Sequence, residues 1–173
     1  MEIDNSITIE GPGLNTVHVN GFQEVFERGT EEVTLSTGHS LKIATLPAIT
    51  LLKIIAFDDR PEKRAKDARD IAAIIRDYFD LQTELVYAHS DLFLKEELPE
   101  TMIEIAAVVI GREIKRITGT NEKLLRRLQT SLEKHIHDAE KSSFIKNMMA
   151  ATGSTVEGSI VWLKNLLEGL STL

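Results

Sequence analysis

The stretch Leu46-Pro47-Ala48-Ile49-Thr50-Leu51-Leu52-Lys53-Ile54-Ile55-Ala56-Phe57-Asp58-Asp59-Arg60, continued by Lys66-Asp67-Ala68-Arg69-Asp70-Ile71, decides how this chain is read. Thr45 can cap a helix, and Pro47 falls in its first turn, where a missing N–H costs nothing, so a helix is predicted to about Asp58 or Asp59. At about 100° per residue, Leu51, Leu52, Ile54, Ile55, Ala56 and Phe57 cover almost the whole circumference and leave Lys53 in a narrow gap. Such a helix must be largely buried. An ammonium on it needs a counter-charge or an anionic ligand, because removing one partner of a buried ion pair costs about 3–5 kcal/mol.

Pro61 opens a second predicted helix, running to about Phe79, with Ala68, Ile71, Ile75 and Tyr78 on one stripe. Asp67 and Asp70 are three apart and share a face; Arg60 and Lys66 lie close in sequence. Two readings are open. In one, Lys53 is neutralised by Asp67 or Asp70 and the set clamps two antiparallel helices. In the other, Lys53 and Arg60 face a phosphate while Asp67 and Asp70 orient them, since phosphoryl-transfer sites work mainly by positioning and electrostatics.

Upstream, the chain reads as strands and turns. Ser6 to Ile9 is a short strand, Gly11-Pro12-Gly13 a turn, and Thr16 to Asn20 alternates with period two. Phe22, Val25 and Phe26 suggest one or two helical turns. Val33 and Leu35 face Leu41 and Ile43 across Ser36-Thr37-Gly38-His39, a hairpin whose glycine can supply a positive φ. Four short strands then make a small sheet whose edges need cover.

Downstream, helices are predicted at Leu81 to Tyr87, Pro99 to Ile117, Asn121 to Lys141, Ser143 to Ala151 and Thr155 to Leu170, with Gly111, Gly119 and Gly153 as punctuation. The reading is an α+β protein: a small antiparallel sheet and hairpin followed by a mainly α-helical body, with domains at 1–80 and 81–173.

The 173 residues, 42% hydrophobic and 27% charged, exclude disordered and collagenous chains. The longest apolar run, Ile105 to Ile110, falls far short of the roughly 20 residues a bilayer span needs. The acidic start Met1-Glu2-Ile3-Asp4 lacks the pattern of an export signal, so a cytoplasmic location is expected. Zero cysteines exclude disulfides, thiolate metal sites and cysteine nucleophiles. A net charge of −7 requires any nucleic-acid contact to come from a local basic patch.

The residues Lys53-Ile54-Ile55-Ala56, Arg60, Lys66-Asp67 and Asp70 resemble the signature of the AbiEii/AbiGii-type nucleotidyltransferases, relatives of the DNA polymerase β superfamily. The resemblance covers about Thr16 to Phe79 and includes the hairpin that leads into Leu46-Pro47. It implies a partial nucleotidyltransferase fold plus a helical domain, in a bacterial abortive-infection or toxin–antitoxin protein. It also implies nucleotide-binding roles for Lys53, Arg60, Lys66, Asp67 and Asp70. A complete family member would use magnesium and a nucleoside triphosphate and meet a cognate antitoxin.

The family's Gly-Ser turn followed by an Asp-x-Asp strand is absent. No Asp-x-Asp occurs, Gly153-Ser154 and Gly158-Ser159 are followed by no carboxylate pair, and Glu2, Asp4 and Glu10 are too few and too irregular to replace it. Two divalent metals need several oxygen ligands at the transferring phosphate. The expectation is therefore a chain resembling the post-catalytic part of a nucleotidyltransferase, inactive by itself, with no catalytic or metal residues and no cofactor of its own. The alternative is a non-enzymatic helical interaction or dimerisation module with a structural Lys/Asp network.

Arg112-Glu113-Ile114-Lys115-Arg116 with Lys123, Arg126 and Arg127 forms a basic stretch that could touch RNA or a nucleotide, but without interleaved aromatics nucleic-acid contact is not expected. His135 and His137, two apart, lie on different helix faces and are expected at the surface rather than on a metal. The last helix, with Ile160, Leu163, Leu167 and Leu170, is expected in the core. Trp162 widens its apolar face toward a homo-oligomer contact.

Overall fold

A computed structural model describes residues 6–9, 15–18, 20–93 and 101–172. Its strands are β1 (Ser6–Ile9), β2 (Asn15–His18), β3 (Thr30–Thr34) and β4 (Ser40–Ala44), with α1 (Phe22–Arg28) between β2 and β3. A helical body follows: α2 (Leu46–Asp59), α3 (Ala65–Leu81), α4 (Thr83–Ala88), α5 (Met102–Thr118), α6 (Glu122–Asp138), α7 (Ser143–Thr152) and α8 (Val156–Ser171). Turns of 3₁₀ helix occupy Ser90–Phe93 and Ala139–Lys141. The architecture is α+β, as expected. The Gly11-Pro12-Gly13 turn, and Glu2, Asp4 and Glu10, lie outside the described residues.

The strands correct one expectation. They form two separate antiparallel ribbons, β1–β2 and β3–β4, rather than one small sheet. In the second ribbon Val33 pairs with Leu41, but Ile43 lies opposite Glu31, and Leu35 belongs to the loop. That loop closes through Leu35 N–H donating to the His39 carbonyl and Gly38 N–H donating to that of Leu35, with Gly38 at φ 82°. Glycine occupies this left-handed position without a Cβ penalty. Phe22, Phe26, Leu41 and Ile43 stay exposed, so this end of the molecule buries little apolar surface.

Thr45 accepts a hydrogen bond from Ala48 N–H, and Pro47 sits in the first turn of α2, as predicted. The segment after Pro61 differs: residues 61–63 turn, with Lys63 N–H on the Arg60 carbonyl, and α3 begins only at Ala65. The helix predicted from Pro99 is α5, which starts at Met102 behind a Thr101 cap; Pro99 itself lies outside the described residues. The Asn121 helix gives way to the 3₁₀ turn at Ala139, whose φ is 45°.

One hydrophobic cluster runs from Val25 through α2, α3 and α5 to Leu170, so residues on both sides of position 80 share it. At its centre is α5, whose residues Ile105 to Ile110 are all buried. Gly111 is no punctuation mark; it lies inside α5 against α8, where a Cβ would come within 2.2 Å of the Leu166 carbonyl. Gly169 answers from α8, its Cβ position 2.1 Å from the Val108 carbonyl. Two glycines let the helix backbones meet directly. Buried Leu163, Leu166 and Leu170 flank the seam, placing the last helix in the core as expected.

Small polar contacts join α1 to this body. Arg28 Nε donates to the Ile117 carbonyl near the end of α5. Asn121 uses both ends of its amide, accepting from Leu124 N–H as the α6 cap and donating to buried Glu24 at 2.6 Å. Among the described residues no helix is long and apolar enough to cross a membrane.

Candidate functional site

The α2–α3 junction is built from the packing that the apolar run dictates. Ala48, Leu51, Ile54, Ile55 and Phe57 of α2 are buried, and Ala68, Ile71, Ala72 and Ile75 of α3 are fully buried. Lys53 emerges from α2 where Asp67 and Asp70 emerge from α3. Its Nζ donates to Asp67 Oδ1 at 2.8 Å and to Asp70 Oδ2 at 2.7 Å. The three side chains are 22%, 11% and 35% exposed, so the triad sits at a half-open edge of the helix junction rather than in a sealed interior.

Burial alone would push the Lys53 ammonium down; the hydrogen bonds to Asp67 and Asp70, with their charges, outweigh it and hold the group above the ordinary lysine value. Asp67 Oδ2 is buried and takes no hydrogen bond from the described residues; Arg64 Nη1 stands 3.8 Å from it. Lys53, Asp67 and Asp70 are therefore brought together. Arg60 and Lys66 are not: both are exposed and neither bonds to these carboxylates.

Magnesium is the ion that the resemblance implies, and the residues do not fit it. Both carboxylates that the junction offers already hold the Lys53 ammonium, and octahedral magnesium needs several free oxygen donors. Among the described residues no group of three or more His, Asp or Glu side chains is placed to hold a metal.

The basic stretch divides. Arg127 of α6 reaches back to Asp58 at 3.2 Å and to Asp59, which lie at the end of α2 where the helix dipole disfavours them. Arg126 meets Glu122, at 3.6 Å, and is 79% exposed. Arg112, by contrast, is largely buried and grips Asp91 with both terminal nitrogens.

His135 overturns the expectation of a surface histidine. It is buried, stacked on Phe144 with ring centroids 4.7 Å apart, edge-on to Phe57, and 3.1 Å from the Ser142 hydroxyl through Nδ1. Burial, helped by Lys134, lowers its pKa against the opposing pull of Asp138 and Asp58. Sequence patterning missed it because Phe57 and Phe144 come from two other helices; the only local sign was its place four residues after buried Ser131 and three after Leu132.

Compared with protein-family models, curated proteins and solved structures, the chain has no match.

Proposed function

We propose that this chain is a nucleotidyltransferase-like protein of the abortive-infection or toxin–antitoxin type, that Lys53 with Asp67 and Asp70 forms its phosphate-facing contact, and that the 173-residue polypeptide transfers no nucleotide by itself. The carrying observation is an ammonium fixed by two carboxylates at 2.8 and 2.7 Å while still 22% exposed. A cation that stays charged and is held in place contributes to triphosphate recognition without reorganising. The missing Asp-x-Asp leaves no carboxylate set to hold catalytic metals, which is the reason to expect no turnover. Cytoplasmic residence and a cognate antitoxin belong to this same reading. Homo-oligomerisation through α8 would have to use Val161, 37% exposed, and half-buried Trp162, because most of that helix's leucines face the core.

A second reading is favoured by a specific feature: the Lys53 ammonium already has both carboxylates as partners, and Arg60 and Lys66 stand apart from it. Here the triad is only a clamp and the helices form an interaction module. Titrating ATP with magnesium onto the ¹⁵N-labelled chain separates the two. Saturable amide shifts confined to residues 53–70, lost in Lys53→Gln, support the phosphate contact. Absence of shifts there, with Lys53→Gln merely less stable, supports the clamp.

A further inference from the structure

The second half of α5 meets the 3₁₀ turn Ser90–Phe93 and the end of α8 around a wide-mouthed, solvent-open cavity of about 680 Å³, lined by His89, Asp91, Arg112, Lys115, Arg116 and Thr172 among others. Small-molecule sites run from roughly 300 to 1,000 Å³. Three permanent cations face one carboxylate in this lining, in a chain whose net charge is −7.

The geometry is specific. Arg112 holds Asp91 through two parallel bonds of 2.8 and 2.6 Å, while its Nη1 lies 3.3 Å from His89 Nδ1. Arginine only donates, so His89 Nδ1 accepts and a neutral ring carries its proton on Nε2, 3.9 Å from Glu113 Oε1. Arg112 is 16% exposed and Asp91 58%, so the guanidinium is the built-in member and the carboxylate the solvent-facing one. The Arg112 Nε–H is buried without an acceptor among the described residues. Lys115 donates to the Thr172 carbonyl, and Arg116, 58% exposed, reaches Glu113 at 2.8 Å.

Cations in the last turn of a helix offset its dipole, which accounts for Lys115 and Arg116. It does not account for Arg112, set further back, desolvated, and presenting its fork to a surface carboxylate. A planar fork of this kind matches carboxylate and phosphate oxygens equally well.

We propose that this cavity binds a small phosphate monoester, whose dianionic head displaces Asp91 from Arg112 and is completed by Lys115 and Arg116. The organic part of the ligand occupies the remaining volume. Asp91 holds the guanidinium in place when the ligand is away, and release from Asp91 lets the fork turn and use its spare Nε–H. Glu113 and Glu168 also act on these cations, so a singly charged anion gains too little to displace Asp91. The site shares no residue with the Lys53 triad.

Isothermal titration of the full chain with ribose 5-phosphate, inorganic phosphate and succinate at constant ionic strength tests this. Ribose 5-phosphate should bind saturably and more tightly than the other two. Asp91→Asn, which removes the competing carboxylate from an exposed position, should tighten binding about tenfold, and Arg116→Gln should weaken it about tenfold. Arg126→Gln, which removes one positive charge elsewhere, should leave it unchanged. The proposal falls if neither the natural chain nor Asp91→Asn saturates by about 10 mM ribose 5-phosphate, a ceiling weaker than any specific contact of this kind. It falls equally if Asp91→Asn fails to tighten binding, if Arg126→Gln weakens it as much as Arg116→Gln, or if succinate or inorganic phosphate binds as well as the ester.

Discussion

Two helix junctions hold this molecule together by opposite means. At the centre of the α5–α8 seam even side chains have been removed: Gly111 and Gly169 bring backbone against backbone, with Leu163, Leu166 and Leu170 alongside. At the α2–α3 junction an ammonium and two carboxylates are kept at the edge of an otherwise apolar contact. The first arrangement tolerates no added atom, because nothing near it can move aside. The second tolerates added atoms but not an unbalanced charge. Gly169→Ala breaks the comparison most sharply, since its new methyl would meet main-chain atoms at 2.1 and 2.8 Å. A loss of about 3 kcal/mol or more, or failure to fold, is expected, measured by urea denaturation.

Removing charge at the other junction should cost less. Lys53→Met leaves Asp67 and Asp70 facing each other without the ammonium between them, with Arg64 3.8 Å from Asp67. A fully buried pair broken this way loses about 3–5 kcal/mol, and partial exposure here reduces the expected loss to about 2 kcal/mol. The triple variant Lys53→Met with Asp67→Asn and Asp70→Asn should recover most of that loss, because the penalty lies in the orphaned charges. If the triple variant is no more stable than Lys53→Met, the junction depends on the ammonium itself.

What was legible in the sequence follows the same division. The all-round apolarity of Leu51 to Phe57 and the three-residue spacing of Asp67 and Asp70 are local facts, and they sufficed to match Lys53 with Asp67 or Asp70; that it bonds to both at once is what the helix packing adds. Gly111 looked like a break because its role depends on Gly169, far along the chain. The two ribbons looked like one sheet because strand order is a non-local property, and the Arg112 cavity was invisible because Asp91 and Thr172 approach it from separate elements. His135 belongs with these, its ring fixed by aromatic partners on α2 and α7. Its lowered pKa gives a sign: the folded chain disfavours the proton that the unfolded chain accepts near pH 6.5. Its contribution is therefore complete above that value and declines as pH falls from it toward the folded pKa. Urea midpoints at about pH 7.5 and 5.5 should converge more closely in His135→Leu than in the natural chain.

The smallest effect sharpens the contrast between apolar and charged packing. Tyr78 of α3 is fully buried, yet its hydroxyl has no hydrogen-bond partner among the described residues, and burial together with the Glu113 charge pushes its pKa well above the ordinary tyrosine value. A polar atom in this setting contributes desolvation cost and no compensating bond. Tyr78→Phe keeps the ring and deletes only that atom, so stability should stay level or rise by up to about 1 kcal/mol in a urea titration. A loss of about 1 kcal/mol or more would mean that the hydroxyl is bonded in solution. Tyr78 would then join the charged side of the comparison, through Glu113 and the Arg112 cluster, instead of the apolar core that surrounds it.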